Sequence, residues 1–279
     1  MRKIAILLAV MALLSCVQIN AFAGYGGTYN QVPPPPPPPN QPGSQYYINW
    51  YSGPAYTYGQ KGNYETYSYN YQDNSITNLK PRIDRELGVV CFGRYTQNYG
   101  FPWQPEEIEW RILDEKDGEM LVVSKNALDC VRFHEKDEAV TWELSTIRKF
   151  LNNYFLYTAF SQDEREYILP KVVSADDNPQ YTTKSGNAVR DKIFLLSIDE
   201  ANKYFKSDAD RQCAATALAK NHGAWTGKYN FTWWWLRTPG SANNRAARVR
   251  YEGKVGNSGN PVVYEDGAVR PAMWIKVDG

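Results

Sequence analysis

From Gly88 onward the apolar residues fall at spacings that suit short strands and short helices. Residues 88–95, Gly-Val-Val-Cys-Phe-Gly-Arg-Tyr, have the β-branched and aromatic content of a strand. Glu109-Trp110-Arg111-Ile112-Leu113 and Met120-Leu121-Val122-Val123 flank the turn Lys116-Asp117-Gly118, which predicts a hairpin. A helix is predicted next, because Ile147, Phe150, Leu151, Tyr154 and Phe155 fall at i, i+3, i+4, i+7 and i+8 behind Ser145, a suitable N-cap. Arg148, Lys149, Asn152 and Asn153 take its polar side. Two capping boxes, Ser161 with Glu164 and Ser197 with Glu200, mark further helix starts. Between them, 192–196 reads as a buried strand. A last helix is predicted over 210–221, stopped by Gly223, followed by strands near 232–236, 247–251, 261–264 and 269–277. Helices in the middle and strands at both ends predict an α+β fold over 88–279, with mainly antiparallel sheets and two to four short helices. Its first and last strands are candidates to pair.

The pattern upstream is different. Arg2-Lys3 precedes an unbroken apolar run from Ile4 to Leu14, the layout of a secretory signal and too short for a permanent membrane span. Two processing sites compete: Ala21-Phe22-Ala23 before Gly24, and Leu13-Leu14-Ser15-Cys16, where Cys16 would carry lipid. The first would leave a signal over 1–23. Residues 24–80 are rich in Gly, Pro, Asn, Gln and Tyr, with prolines from Pro33 to Pro39 that impose an extended polyproline helix. Few aliphatic residues stand there to offset the entropy of ordering, so a disordered stalk is expected. The expected location is extracellular or at the cell surface, with contact to a membrane only through a lipid on Cys16.

Charge and rare residues narrow the chemistry. Losing residues 1–23 removes Arg2 and Lys3 and takes Lys+Arg from 31 to 29 against 30 Asp+Glu, a formal charge of −1. That balance carries no footprint for nucleic acid. Cys91, Cys130 and Cys213 are an odd set without metal-ligand spacing, compatible with one disulfide and a leftover thiol or with three buried cysteines. The chain has two histidines. His134 begins a His-Glu-x-x-His-like run but meets Glu138 where the second histidine belongs, which argues against a zinc protease site. Gly223 to Tyr229 is one residue short of a phosphate loop and lacks its hydroxyl.

An ordered series of motifs carries a family likeness. It runs through Phe92-Gly93-Arg94-Tyr95, Glu109-Trp110-Arg111, Ser145-Thr146-Ile147-Arg148 with Phe150-Leu151-Asn152, and Asp191-Lys192 with Phe194-Leu195-Leu196-Ser197. It ends in Trp235-Leu236-Arg237-Thr238-Pro239-Gly240 and Val269-Arg270-Pro271-Ala272 with Trp274-Ile275. The series resembles a widespread bacterial family of extracellular domains of unknown function. More distantly, the ending is similar to the C-type-lectin-like fold in its formylglycine-generating-enzyme version. That likeness implies a small terminal sheet whose loops form a binding face. It does not carry the oxidase activity over, because no cysteine follows Cys213 to make the required pair.

Two functional classes follow. The first is a non-catalytic ligand-binding module recognising a glycan or a surface protein through loops near 240–266. Its candidate contact residues are Trp233, Trp235, Asn243, Asn244, Arg245, Arg248, Arg250, Tyr251, Asn257, Asn260 and Tyr264, a mixture of aromatic, arginine and amide side chains found in binding faces. The second is an enzyme using Cys130 or an acidic cleft. No cofactor is required by either, although Asp176-Asp177-Asn178 offers oxygen ligands for calcium. Arg237 and Arg270 are expected to brace strands rather than meet a ligand.

Overall fold

The computed structural model describes residues 80–98 and 105–277, together with the backbone of Tyr47–Ile48, Thr57–Gly59 and Tyr67–Ser68. Those three short strands pair antiparallel in sequence order. The expected signal segment, Cys16, the proline run and the rest of the expected stalk lie outside the described residues.

The fold is α+β with mainly antiparallel sheets and a few short helices. The larger sheet runs Ile193–Phe194, Ala272–Lys276, Glu119–Ser124, Glu106–Lys116, Val89–Tyr95 and Arg82–Asp84, and Ile168–Leu169 also pairs with Ala272–Lys276. The predicted hairpin lies at its centre. Asp117 and Gly118 at its tip have φ of 53° and 74°, the left-handed geometry that matches the twist of a two-residue hairpin. Trp110, fully buried beneath the sheet, donates its indole N–H to the Phe92 carbonyl at 2.7 Å and stacks on Phe160. Satisfying that N–H inside the core is what lets so large a ring be buried.

The second sheet runs Val255–Pro261, Arg245–Val249, Trp234–Pro239, Ala268–Val269 and Asp129–Cys130. Its one parallel pairing, Trp234 beside Ala268, arises because the segment 262–267 crosses over the sheet from one side to the other. The predicted strand over 269–277 is in fact two strands in two sheets. They break at Arg270-Pro271, where Pro271 offers no N–H to a ladder. The first and last strands share the larger sheet without being neighbours; Ala272–Lys276 pairs with Glu119–Ser124 instead.

Helices occupy the predicted middle. Ser145 caps Thr146–Lys149 by accepting from the Arg148 N–H, and the run continues as a π-helical segment Phe150–Phe155 and then Leu156–Ala159. Asn152 on this run takes the N–H groups of Lys192 and Ile193 and donates to the Ile193 carbonyl, which closes the edge of the larger sheet. The box at Ser197 and Glu200 opens the helix Ile198–Tyr204; the same bonds at Ser161 and Glu164 open only the 3₁₀ turn Glu164–Glu166. The helix expected over 210–221 is broken into Asp208–Arg211 and Ala217–Asn221. Between them Ala214 and Ala215 bridge to Phe231 and Ala127, so long-range pairing wins over helix propensity there, and Thr216 caps a fresh start.

Candidate functional site

The strand Arg245–Val249 and the residue after it carry three arginines toward one face of the second sheet. Arg245 donates to the carbonyls of Ser258 and Gly259, at 3.2 and 2.8 Å. Arg248 donates to Asn260 Oδ1 and lies over the Trp233 ring, 5.9 Å from its centre. Arg250 is exposed. A β-carbon built on Gly256 would lie 3.5 Å from Arg248 Cγ and 3.6 Å from Arg250 Nε, so both side chains pack against this buried glycine. None of the three guanidinium groups forms an ion pair with a described residue. Burial, and then the charges of Arg250 and Arg245, lower the pKa of Arg248, while Tyr264 and Asp266 act in the opposite sense.

Tyr264 and Asp266 belong to the crossing segment and line an open depression of about 540 Å³ with Arg132, Glu135, Val263 and Glu265. Arg132 pairs with Glu265 there, yet its buried Nε–H has no acceptor. Beside this segment, Trp225 donates its backbone N–H to the Asp266 carbonyl, and its ring meets Tyr251 edge-on at 5.2 Å. Trp225 is 44% exposed and Tyr264 45%. Asp266 closes the expected loop region 240–266, whereas Trp225 and Arg132 were not flagged by sequence, because each reaches the face from a segment distant in the chain.

Buried contacts fix the frame beneath. Asn178 donates its side-chain amide to the carbonyls of Pro239 and Asn257, at 2.7 and 2.8 Å, and accepts from Gln180 and Tyr181. Arg237 binds Glu200 and the carbonyls of Leu195 and Ser174. Gly253, at φ +88°, brings the turn after Arg250 against the helix Asp208–Arg211; a β-carbon there would sit 1.6 Å from the Asp208 carbonyl oxygen.

The expected contact residues divide into three groups. Arg245, Arg248, Arg250, Asn260 and Tyr264 come together on the face, with Tyr251 beside them. Asn243, Asn244 and Asn257 face neighbouring loops: the Asn243 carbonyl takes the Val140 N–H, Asn244 donates to Asp137 and Asn257 to Gln180. Trp233 and Trp235 are core residues, a correction to their place in the contact set. They pack against each other with ring centres 4.7 Å apart, and Trp235 donates to the Val131 carbonyl. The segment 262–267 roofs them, with Gly267 pressed on both indoles.

The other expected chemistries meet a different geometry. Cys130 is buried, donates to the Glu265 carbonyl at 3.0 Å, and has its thiol pKa pushed far up by burial and then by Asp129 and Asp266, which disfavours the thiolate that a nucleophile needs. His134 contacts Thr146 and Glu138, and His222 contacts Asp129 at 2.7 Å. Asp129 also accepts from Tyr95 at 2.5 Å, making a buried Tyr-Asp-His chain. Burial lowers the His222 pKa, but attraction to Asp129 and the hydrogen bond with it outweigh burial and leave it raised. Asp176 and Asp177 are engaged by Ser174, Lys184 and Ser185. Among the described residues no group of three His, Cys, Asp or Glu side chains is placed to hold a metal ion. No helix of the described residues is long and apolar enough to cross a membrane.

The family model described as Domain of unknown function (DUF6273) matches residues 117–277. Comparison with curated proteins and with solved structures finds no match.

Proposed function

We propose, for a chain that belongs to the DUF6273 family of domains of unknown function, that it is a non-catalytic ligand-binding module exported to the bacterial cell surface. It recognises a glycan or a surface protein through the face built from the strand Arg245–Val249 and the crossing segment 262–267. One observation carries the reading: three guanidinium groups stand together on an open face and none has a carboxylate partner among the described residues. Clustered like charges repel, and a protein that keeps them clustered and unpaired holds a standing attraction for a complementary ligand. The exposed Trp225 and Tyr264 add the aromatic area that such faces use. The similarity of the last strands to the C-type-lectin-like fold points the same way, by analogy alone.

The test is a joint substitution, Arg248→Ala with Arg250→Ala and Tyr264→Ala, assayed on glycan and cell-surface protein arrays. Attachment should be lost while the thermal midpoint falls only by what the Arg248 contacts to Asn260 and Trp233 contribute, since Arg250 and Tyr264 are exposed. Attachment that survives all three changes would mean recognition occurs elsewhere.

A further inference from the structure

We infer that the ligand of this face is an acidic polysaccharide, its carboxylates bound by Arg248 and Arg250 and its sugar rings laid against Trp225 and Tyr251. This rests on the binding-module reading above and names the substrate class for it. A guanidinium presents a planar fork of donors that matches a carboxylate, and the Asn260 contact and the Trp233 ring hold Arg248 in place before any ligand arrives. Gly256 adds no side chain between them, so Arg248 and Arg250 pack side by side over its buried backbone and can meet the same anionic group.

The shape of the site favours a chain over a small anion. The face is open instead of pocketed, and the arginines follow one another along a strand, an arrangement that meets a repeating charge. The neighbouring aromatics favour a sugar over a peptide or a nucleic acid. Trp225 and Tyr251 meet edge-on and leave Trp225 almost half exposed, an apolar surface that suits the C–H side of a pyranose ring.

The experiment measures binding of the full chain to polygalacturonate by calorimetry. The comparison ligands are the same polymer with its carboxyls reduced to alcohols, heparin, and poly-glutamate. Polygalacturonate should bind and weaken with added salt, the carboxyl-reduced polymer should not bind, and poly-glutamate should bind far less. Arg250→Ala should weaken polygalacturonate about tenfold, as loss of a hydrogen-bonded charge contact does, and Arg248→Lys should weaken it too by removing the fork while keeping the charge. Trp225→Ala should weaken the polymer more than it weakens free galacturonate. Equal binding of the reduced polymer would overturn the acidic class and leave a glycan module standing. Equal or tighter binding of poly-glutamate would replace the glycan by an acidic protein, and heparin binding that vanishes on desulfation would replace carboxylate by sulfate. Binding of none of these, with array attachment unaffected by the face variants, would sink the binding-module reading as well.

Discussion

Two sets of arginines sit on the same small sheet and do opposite things. Arg237 and Arg270 are buried and hydrogen-bonded: the first holds Glu200 and two carbonyls, the second donates to the carbonyls of Ser124 and Arg211 and lies over the Trp234 and Phe205 rings. Arg248 and Arg250, one strand away, are left without a carboxylate. A buried cation is tolerated only when its donors are met, so the first set works as internal cross-bracing. At the surface water can meet the donors at little cost, so the second set can stay unpaired until something displaces that water. Residue type alone does not separate the two roles; what matters is which elements close over the side chain.

The sharpest way to break that contrast is to remove one arginine from each set. Arg237→Met should cost about 3 to 5 kcal/mol in urea unfolding, because Glu200 and the carbonyls lose their donor. Arg250→Ala should cost less than about 0.5 kcal/mol, as exposed substitutions do. Similar costs for the two would end the distinction. Asn178→Ala comes next. It strips the carbonyls of Pro239 and Asn257 of their donor and should cost about 2 kcal/mol, with weaker attachment because the loops it ties lie beside the arginine row. Attachment unchanged in a measurably destabilised Asn178→Ala protein would show that those loops need not be held.

The smallest effect concerns pH. The His222 pKa is raised in the folded protein, so its contribution to stability is fully present below the ordinary histidine value of about 6.5 and is lost as pH rises through the folded value. The thermal midpoint should therefore fall as pH rises from about 6.5 through the raised folded value, and His222→Asn should flatten that decline. An identical slope in the variant would show that the Asp129 contact does not couple to protonation.

Local signals in the sequence were reliable where local physics decides. Asp117-Gly118 announces its hairpin because few residues accept positive φ, and Ser145 and Ser197 announce their helices because their hydroxyls meet orphan amides three residues on. The strand expected over 232–236 starts two residues early, and the one expected over 261–264 begins where the real strand, Val255–Pro261, ends. The break between Arg211 and Ala217 was illegible, since the partners that pull 214 and 215 out of a helix come from residues 127 and 231. The site was half legible for the same reason. Arg248, Arg250, Asn260 and Tyr264 announce themselves as polar and aromatic residues in Gly-rich strands. The roof that buries Trp233 and Trp235 depends on how 262–267 crosses the sheet. Asn178 looked like one oxygen in an acidic loop, and only the fold shows it clamping carbonyls some 60 and 80 positions away in the chain.

The strands Ala268–Val269 and Ala272–Lys276 are interior members of two different sheets, inserted between partners that come much earlier in the chain. Until they arrive, Glu119–Ser124 and Trp234–Pro239 each show an unpaired apolar edge. The two strands thus act like the slider of a zip fastener: a fragment stopping at residue 267 would keep both edges open to pairing with other chains.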